Sequence, residues 1–540
     1  MKAVQAVEVE KKYDVGDDAV VPQLRDLPGV ARVGEAHTAE LEAVYFDTGQ
    51  RALQSRRITL RRRTGGVDAG WHLKLPAEAA SPGEASPRKP AAHGVPEGTL
   101  QAESEPPRRR ELHAPLGQPD VVPDSLLAYV QAFVRGNPLV PVVRLKTERT
   151  TYPLYGPDGV HLADLADDRV DAQPLLGGAA AGGKRWREWE LELVRGSTHL
   201  FEPAGQVLAA AGARPAGHAS KLAKALGAGG TAKAPGTETG GGTALLAGKK
   251  APAAAVVTVF LAGQLNQLLE RDAGVRLEEP EAIHDMRSAA RRMRSALAAY
   301  RRLYRAVPVR RLREELSWLG GMLGVPRDAE VLRSRLLGQV AELPPGEGTE
   351  AARDFLDRRA GATFDAGYRL LQEALVSGRY FRLLDSLEDF RDTPPVRGTA
   401  VEPGRRAVAK AVDKAAKRIR RSHKAASHAR RGTERETALH QVRKDAKRLR
   451  HVAESAAAVS GKRARKVAKA AHRQQKILGD YHDAVIARDL LAGLESEAPP
   501  AAADAFAALL ARQHELMSAA EKKYRKTSRK SRDLLRGGVL

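Results

Sequence analysis

The sequence has no cysteine, few aromatic residues and no apolar run of membrane-spanning length. The absence of cysteine from all 540 residues excludes disulfide bonds and thiolate metal sites, and it suits a reducing cytoplasm. Residues 1–10 contain no apolar signal core. The apolar stretch near residues 253–263 is shorter than the roughly 20 residues that a membrane helix needs. These absences predict a soluble, cytoplasmic protein without a membrane span.

Acidic residues are scarce in the second part of the chain. The whole chain has 89 Lys and Arg residues against 66 Asp and Glu, a net charge of +23. Residues 1–210 contain 26 basic and 29 acidic residues, whereas residues 404–476 contain 24 basic and 5 acidic residues. The basic part therefore predicts a polyanionic partner: nucleic acid, an anionic membrane or polyphosphate. Aromatic residues form 4% of the chain and are nearly absent from 404–476, which disfavours nucleic acid because bases need stacking partners.

The basic part contains an internal repeat. A stripe of one histidine and three cations occurs twice, 156 residues apart: His284, Arg287, Arg291 and Arg294, then His440, Arg443, Lys447 and Arg450. A second matched pair, residues 323–329 and 478–484, has an offset of 155. The spacing i, i+3, i+7, i+10 puts each stripe on one face of a helix. A solvated, salt-bridged face would explain one stripe, but two copies in register favour binding of a linear anion.

The composition divides the chain into two domains of different secondary structure. Residues 1 to about 210 show the period-2 pattern of antiparallel strands, and residues 76–110 are predicted to form a long disordered loop. From residue 253 onward the pattern is helical. We predict an α+β multidomain protein with a first domain over 1–225, a flexible Gly-rich linker over 226–249 and an all-α domain over 250–540. The two repeats of the helical domain are expected at about 250–395 and 404–540.

Several strands of the first domain have one apolar face and one charged face. The charged faces are formed by Glu8, Glu10 and Lys12; Thr59, Arg61 and Arg63; His72 and Lys74; Arg144, Lys146 and Glu148; and Glu188, Glu190 and Glu192. An ordinary sheet with one solvated face would explain any one of these strands. Taken together, closely spaced carboxylates and separate groups of Arg and Lys favour divalent metal held by Glu oxygens beside bound phosphate.

An ordered set of segments resembles the CYTH superfamily, the triphosphate tunnel metalloenzymes. These segments are Glu8-x-Glu10-x-Lys12 and residues 45–48, 60–66, 71–75, 166–170, 186–193 and 220–222. The resemblance covers roughly 220 residues and implies an eight-stranded antiparallel β-barrel, whose polar tunnel binds triphosphate with Mg²⁺ or Mn²⁺. Members hydrolyse inorganic triphosphate, thiamine triphosphate or nucleoside triphosphates, and some cyclise ATP.

The same resemblance implies roles for individual residues. Those expected to be catalytic are Glu8, Glu10 and Lys12. Those expected to hold the metal are Glu8, Glu10, Glu190, Glu192 and Asp168. Those expected to bind phosphate are Lys12, Arg61, Arg63, Lys74, Arg144 and Lys146. Lys221 begins a helical run and is expected at its surface.

The second part of the chain resembles the CHAD domain, a conserved-histidine α-helical domain. The resemblance rests on the two stripes, on residues 318–328 and on their second-copy partners. It implies two duplicated four-helix bundles related by a pseudo-twofold axis, with a basic groove that binds inorganic polyphosphate. All eight residues of the duplicated stripe are the expected polyphosphate ligands.

The leading prediction is a cytoplasmic, metal-dependent triphosphatase or polyphosphatase, joined to a polyphosphate-binding domain and associated with polyphosphate granules. Its expected partner is inorganic polyphosphate or triphosphate. An adenylate cyclase or a thiamine triphosphatase would use the same tunnel, whereas a non-catalytic targeting protein would bind polyphosphate without turnover. A nucleic-acid binder built on residues 404–476 is a less favoured alternative. The sequence makes no prediction about oligomeric state.

Overall fold

The computed structural model describes residues 4–76, 108–176, 183–227, 251–531 and 534–535. The chain forms two compact units, Met1–Pro235 and Gly236–Leu540, here called the barrel unit and the helical unit. Residues 77–107 of the predicted loop and 228–249 of the predicted linker lie outside the described residues. Each unit is described separately below.

Ten strands are present among the described residues of the barrel unit. They are β1 (Val4–Val15), β2 (Arg32–Val33), β3 (His37–Asp47), β4 (Thr59–Thr64), β5 (Gly70–Pro76), β6 (Arg108–Ala114), β7 (Val140–Tyr155), β8 (His161–Pro174), β9 (Lys184–Leu193) and β10 (Arg214–Pro215). Eight of them form a closed antiparallel barrel in the order β1-β6-β5-β4-β3-β7-β8-β9. The barrel closes because β1 pairs with β6 along its first half and with β9 along its second half. This confirms the predicted eight-stranded barrel.

Helices cover the apolar outer face of the barrel. Leu60 and Trp71 pack outward against Leu126 of α1 (Asp124–Val134). On the other side, Trp189 packs against Phe201 of α2 (Phe201–Ala210). Because side chains alternate along a strand, burial of the apolar face against these helices turns the charged face toward the interior. The charged faces seen in the sequence are therefore an internal lining.

A short helix, α3 (Lys221–Ala225), fills part of this interior. Ser220 caps it, since the Ser220 hydroxyl accepts a hydrogen bond of 3.2 Å from the Ala223 amide. Leu222 is buried against Tyr45 and Leu145, which belong to β3 and β7. One section of the barrel interior is thus apolar, and the charged section lies beside it.

The described part of the helical unit contains ten α-helices. They are α4 (Ala253–Arg276), α5 (Ala282–Ala299), α6 (Ala306–Met322), α7 (Gly324–Val340), α8 (Glu347–Leu375), α9 (Gly378–Asp392), α10 (Gly404–His428), α11 (Thr433–Ser455), α12 (Ala457–Leu494) and α13 (Ala503–Lys530). Among the described residues, four helices, α10 to α13, form the second repeat. In the first repeat the counterpart of α12 is divided at Leu323 into α6 and α7, and α9 is additional. The predicted all-α domain is confirmed.

Equivalent positions of the two repeats meet in the core of the helical unit. Ser295 Oγ lies 3.0 Å from His451 Nδ1, and these residues are 156 positions apart. The hydroxyls of Tyr300 and Ser455, 155 positions apart, lie 2.9 Å from each other. Contact between equivalent positions is the signature of an approximate twofold axis. The sequence offsets of 155 and 156 therefore describe a real structural duplication.

One described helix, α4, is long and apolar enough to cross a membrane by length and composition alone, with a mean hydropathy of 1.3. It extends beyond the apolar stretch that the sequence suggested, and 44% of its most apolar window is buried inside the protein. It also contains a buried carboxylate, Asp272, which pairs with Arg276 at 2.6 Å and accepts a hydrogen bond from Tyr380. Core helices of globular bundles meet the same criterion, so this helix is weak evidence for a span.

Candidate functional sites

The charged section of the barrel encloses a cavity of about 90 Å³ lined by groups of both signs. Its cations are Lys12, Arg61, Arg63, Lys74, Arg109, Arg149 and Lys221, and its carboxylates are Glu8, Glu10, Asp68, Glu111, Glu190 and Glu192. The register of β1 and β9 sets Glu10 opposite Glu192 and Lys12 opposite Glu190. Such a density of opposite charges in a closed interior is suited to a ligand that combines cation and anion.

Part of the lining is neutralised internally. Lys12 Nζ lies 2.9 Å from Glu10 Oε2 and also pairs with Glu190. Lys74 pairs with Glu8. Although burial opposes ionisation, the charge of Lys12 holds the pKa of Glu10 below its usual value. These pairs keep the buried groups charged before any ligand enters.

A group of three carboxylates is already occupied by a protein cation. Oxygens of Asp168, Glu188 and Glu190 lie within 4.8 Å of one another. Lys221 Nζ lies 2.8, 2.8 and 2.5 Å from them, in that order. Arg149 binds both oxygens of Asp168, at 2.7 and 2.6 Å, and Glu190 at 2.6 Å. Lys221 is therefore buried, not at a helix surface as expected, because its ammonium compensates this acidic group.

Three other carboxylates, Glu8, Glu10 and Glu192, form the open part of the acidic lining. Glu8 Oε2 is buried without a hydrogen-bond partner. Glu192 forms no ion pair with any described residue, and burial, reinforced by the charge of Glu8, raises the pKa of Glu192 to about 7. Burial also raises the pKa of Glu8, despite Lys74. Clustered carboxylate oxygens without sufficient positive charge are the ligand set that Mg²⁺ and Mn²⁺ prefer.

These contacts separate the predicted metal ligands into two sets. Glu8, Glu10 and Glu192 fit a divalent cation, since Glu8 Oε2 has no hydrogen-bond partner and Glu192 has no ion pair with a described residue. Asp168 and Glu190 carry the other predicted ligand oxygens, but Arg149 and Lys221 hold them at hydrogen-bond distance. A metal at Asp168 would have to displace those two cations.

Arg61 and Arg63 provide positive charge on the β4 side of the cavity. Arg61 Nη1 donates to the Tyr45 hydroxyl at 3.3 Å, its Nε is buried without a partner, and it forms no ion pair with a described residue. Arg63 pairs with Asp68, yet burial and the charge of Arg61 lower the pKa of Arg63 to about 9. Both guanidinium groups therefore have unused capacity to bind an anion.

The positions of Arg144 and Lys146 do not agree with their predicted role in phosphate binding. Both side chains lie on the outer face of β7, where Arg144 Nε contacts Glu42 at 3.3 Å. The charged residue on the inward face of β7 is Arg149, which lines the cavity. The reason is that Leu145 and Thr147 point into the apolar section of the interior, so β7 reverses the rule that apolar faces point outward.

Sequence reasoning placed Glu188 on the charged face of its strand but assigned it no role, and it assigned none to Arg109, Glu111 or Arg149. Glu111 lies opposite Lys74 in the register and contacts His72 Nδ1 at 3.0 Å. Burial opposes its ionisation, but His72 and Lys74 lower the pKa of Glu111. Arg149 could have been found by extending the alternation of Leu145 and Thr147 by one more step. Glu188 could have been assigned a role because it shares the strand face of Glu190.

The duplicated stripe forms a second site, in the helical unit. Burial, and then the charges of Arg291 and Arg443, lower the pKa of Lys447 to about 7. Burial and neighbouring cations, Arg443 among them, lower the pKa of Arg291 to about 10. The two helices that carry the stripes, α5 and α11, contact each other directly, since Ser295 Oγ lies 3.0 Å from His451 Nδ1.

Within the described residues, Arg291, Arg443 and Lys447 have no carboxylate partner, and we call them the central cations. The Nε atoms of Arg291 and Arg443 are buried without hydrogen-bond partners. The outer members of the stripe are better compensated, since Arg287 binds Asp328 at 2.6 Å and Arg450 binds Glu454 at 2.6 Å.

The remaining members of the stripe have individual surroundings. Arg294 Nη1 donates to the Ser317 hydroxyl at 2.7 Å. His284 is exposed, whereas His440 packs on His482 with ring centroids 4.3 Å apart. Burial and His482 lower the pKa of His440 to about 4. The site is thus a row of cations with an uncompensated centre and neutral histidines.

Comparison with protein-family models places two matches on the chain. The CYTH domain model matches residues 6–210, and the CHAD domain model matches residues 260–492. An uncharacterised protein from Mycobacterium tuberculosis (strain CDC 1551 / Oshkosh) is 36% identical over 553 residues, which covers 98% of each chain.

Two solved structures resemble the chain over about half its length. PptA from Streptomyces chartreusis is 23% identical, with a TM-score of 0.44, covering 52% of this chain and 100% of that one. The CHAD domain from the plant Ricinus communis is 24% identical, with a TM-score of 0.42, covering 52% of this chain and 92% of that one.

Proposed function

Since the chain belongs to the family of proteins in which a CYTH domain is followed by a CHAD domain, we propose that it hydrolyses inorganic triphosphate or polyphosphate in its barrel and binds inorganic polyphosphate through its helical unit. CYTH domains are metal-dependent triphosphatases or cyclases, so the coarse substrate class is a phosphoanhydride. The choice of inorganic substrate is our proposal.

One observation supports hydrolysis in the barrel above all others. Glu8 Oε2 and Arg61 Nε are both buried without hydrogen-bond partners, and both residues line the same cavity. A metal-bound phosphate chain supplies the missing charge to both groups simultaneously. Its metal fits the carboxylates, and its oxygens fit the cations.

Different residues of the barrel would hold the metal and bind the phosphate chain. A divalent cation held by Glu8, Glu10 and Glu192 would supply Lewis-acid stabilisation of phosphate charge and lower the pKa of bound water. Arg61, Arg63 and Lys74 would bind and orient the terminal phosphate, and Arg149 would add charge from β7. The water oxygen bonds to the terminal phosphorus while the bond to the bridging oxygen breaks, which yields orthophosphate, a shortened chain and a proton.

The helical unit supports the second half of the proposal. The three central cations come from both repeats and lack acidic partners among the described residues. A linear anion lying along the stripe would relieve their mutual repulsion, and the affinity should fall steeply with salt. Inorganic polyphosphate is the ligand that matches both this row of cations and the substrate class of the barrel.

A phosphate-release assay tests the proposal across tripolyphosphate, long polyphosphate, ATP and thiamine triphosphate, with Mg²⁺ or Mn²⁺. The variant Glu10→Gln should reduce the rate by at least about a hundredfold, because it removes a ligand charge from the site. The matched control is Glu42→Gln, which removes a carboxylate from the outer face and should leave the rate unchanged.

Each other outcome points to a different function. Cyclic AMP formed from ATP without phosphate release would identify a cyclase, and a marked preference for thiamine triphosphate would identify that substrate. Polyphosphate left intact under every metal condition would indicate a binding protein. Full activity in Glu10→Gln would contradict the assignment of the barrel as the active site.

A further inference from the structure

We propose that a groove between α12 and α13 is a second binding site for a linear phosphate polyanion, separate from the duplicated stripe. The groove has a volume of about 800 Å³. Its cations, which define what we call the basic groove, are Lys466, Lys469, Arg473 and Lys476 of α12 and Lys523, Lys526 and Lys530 of α13.

The charge of the basic groove is uncompensated. Seven cations and no carboxylate line it, and none of the seven forms an ion pair with a described residue. All seven side chains are exposed. By contrast, many other cations of the helical unit are paired, such as Arg333 with Asp357 and Arg435 with Glu521. Like charges that line one groove repel one another, and an anion in the groove would reduce that repulsion.

The geometry of the basic groove suits a linear ligand. Lys466, Lys469, Arg473 and Lys476 follow the spacing i, i+3, i+7, i+10, the same spacing as the duplicated stripe. They therefore form one row along α12, and at 1.5 Å per residue the row is about 15 Å long. Lys523, Lys526 and Lys530 form a second row, and the short connection between α12 and α13 makes the helices antiparallel. A chain lying between two such rows contacts cations on both sides.

The packing behind the groove holds the two helices in place. His423 Nε2 of α10 donates a hydrogen bond of 2.8 Å to Gln474 Oε1, and the His423 ring lies 5.9 Å from the Tyr524 ring. Gln474 and Tyr524 are buried, and each is the next residue after a groove cation. This bridge fixes α12 against α13, so the groove is formed before a ligand binds and little ordering is needed on binding.

The lining favours inorganic polyphosphate over nucleic acid. No aromatic side chain lines the groove, so bases have no stacking surface there. Six of the seven cations are lysines, which act as point charges and give less geometric selectivity than arginine forks. The ligand class therefore rests on the proposed function, whereas the residues are different from those of the duplicated stripe.

The test compares three full-length variants that each lose three cations. The groove variant is Lys469→Gln/Arg473→Gln/Lys526→Gln, and the stripe variant is Arg291→Gln/Arg443→Gln/Lys447→Gln. The matched control, Lys462→Gln/Arg465→Gln/Lys522→Gln, removes the same residue types from exposed positions of α12 and α13 outside the groove. Calorimetric titration with a short polyphosphate, of roughly the 15 Å that the α12 row spans, gives the number of bound chains.

The groove variant should bind one chain fewer per protein than the control. For long polyphosphate, its slope of log affinity against log salt should fall by roughly two, at about 0.7 per lost contact. The charge-preserving variant Lys469→Arg/Lys526→Arg should bind like wild type. Circular dichroism and thermal unfolding verify that each variant is folded.

The outcomes separate this proposal from the proposed function. A groove variant that binds as many chains as the control, with an unchanged slope, overturns the second site and leaves the stripe untouched. A stripe variant that keeps all its bound chains while the groove variant loses one overturns the role of the stripe instead. A groove variant that loses affinity for a single-stranded oligonucleotide but not for polyphosphate shows that the groove is a nucleic-acid site, which also contradicts the proposal.

Discussion

Arg149 and Arg144 lie on the same strand, five residues apart, and face opposite sides of the barrel wall. Arg149→Gln should reduce kcat/KM for tripolyphosphate by roughly tenfold to a hundredfold, because a charge-assisted hydrogen bond contributes about 1.5–3 kcal/mol. Arg144→Gln removes an identical charge from the outer face, where its contact is Glu42, and kcat/KM should stay within about twofold. Steady-state kinetics of the two variants measures the difference.

The Arg149 prediction needs a control for stability, because Arg149 also binds the buried carboxylates of Asp168 and Glu190. Arg149→Lys keeps the charge and should recover part of the lost kcat/KM. A thermal unfolding curve shows whether the Gln variant is still folded at the assay temperature. Equal losses in Arg149→Gln and Arg144→Gln would contradict the inward position of Arg149.

Lys447 provides a test of pH dependence in polyphosphate binding. Burial and neighbouring cations lower its pKa to about 7 in the free protein, and a bound polyanion would raise that pKa. Lys447 is therefore already charged below about pH 7, and above it the site must take up a proton to bind. Affinity should be level below pH 7 and fall by roughly fivefold between about pH 7 and pH 8.

The control for Lys447 is a variant that keeps the charge at every pH. Lys447→Arg should flatten the pH dependence between about pH 7 and pH 8, whereas Lys444→Arg, at an exposed position of the same helix, should leave it unchanged. The pKa values of His440 and His451 are lowered to about 4 and 3, so these histidines do not titrate in this window. Identical pH profiles for both variants would exclude Lys447 as the titrating group.

At the scale of single residues, strand alternation predicted most of the cavity lining. It grouped Glu8 with Glu10, Arg61 with Arg63, and Glu190 with Glu192, because a helix-covered barrel turns each charged face inward. It failed at β7, where the apolar face also points inward. No local pattern in β7 reveals this, since the cause is α3, which is about 75 residues away in the sequence and fills that section of the interior.

At the scale of elements, α3 connects stability of the barrel with its charge balance. Lys221 of α3 is the cation among Asp168, Glu188 and Glu190, all of them buried. Lys221→Met leaves these carboxylates undercompensated and should destabilise the barrel unit by roughly 3–5 kcal/mol. Lys224→Met, on the same helix, removes a more exposed partner of Asp14 and should cost no more than about 1 kcal/mol. Chemical denaturation measures both.

The effect of a divalent cation on the unfolding temperature provides a second test of the Lys221 variant. Without the ammonium, Arg149 still binds both Asp168 and Glu190, but the three carboxylates within 4.8 Å of one another have spare oxygen atoms for a divalent cation. Added Mg²⁺ or Mn²⁺ should therefore raise the unfolding temperature of Lys221→Met more than that of wild type or of Lys224→Met. An equal shift in all three proteins would show that Lys221 does not occupy a cation position.

The two repeats show which features of the helices could be predicted from the sequence and which could not. The offset of the duplicated stripe predicted an internal duplication, and the contact of Ser295 with His451, 156 residues apart, agrees with it. The same Leu-Gly pair occurs in both repeats, at 323–324 and 478–479, yet it divides α6 from α7 in one and lies inside α12 in the other. The flanking sequence differs, because Pro326 follows the pair only in the first repeat, and a proline cannot donate the backbone hydrogen bond that would continue the preceding helix.

At the scale of the whole molecule, the charge is divided between the units. Residues 1–210 are nearly neutral, and the surplus of basic residues lies in the rest of the chain. If the helical unit captures long polyphosphate, each bound chain raises the effective concentration of chain ends for the barrel of the same molecule. Tripolyphosphate is too short to be held in this way. The two substrates should therefore respond differently when the helical unit is altered.

The stripe variant, Arg291→Gln/Arg443→Gln/Lys447→Gln, measures that difference. Its KM for long polyphosphate should rise by at least about tenfold, since an effective concentration supplied by tethering is lost, while its kcat and its KM for tripolyphosphate should stay at wild-type values. Wild-type kcat/KM for long polyphosphate should also fall more steeply with salt than kcat/KM for tripolyphosphate, and the variant should lose roughly two units of that slope.

The control for the stripe variant is Arg430→Gln/Arg431→Gln/Lys444→Gln, which removes the same residue types from exposed positions of the helical unit. It lowers the net charge equally, so a general effect of charge would change KM in both variants. A selective rise in KM for long polyphosphate in the stripe variant alone would mean that the stripe captures substrate for the barrel. An equal effect on long polyphosphate and tripolyphosphate would contradict capture, because capture by the stripe is proposed for the long chain alone.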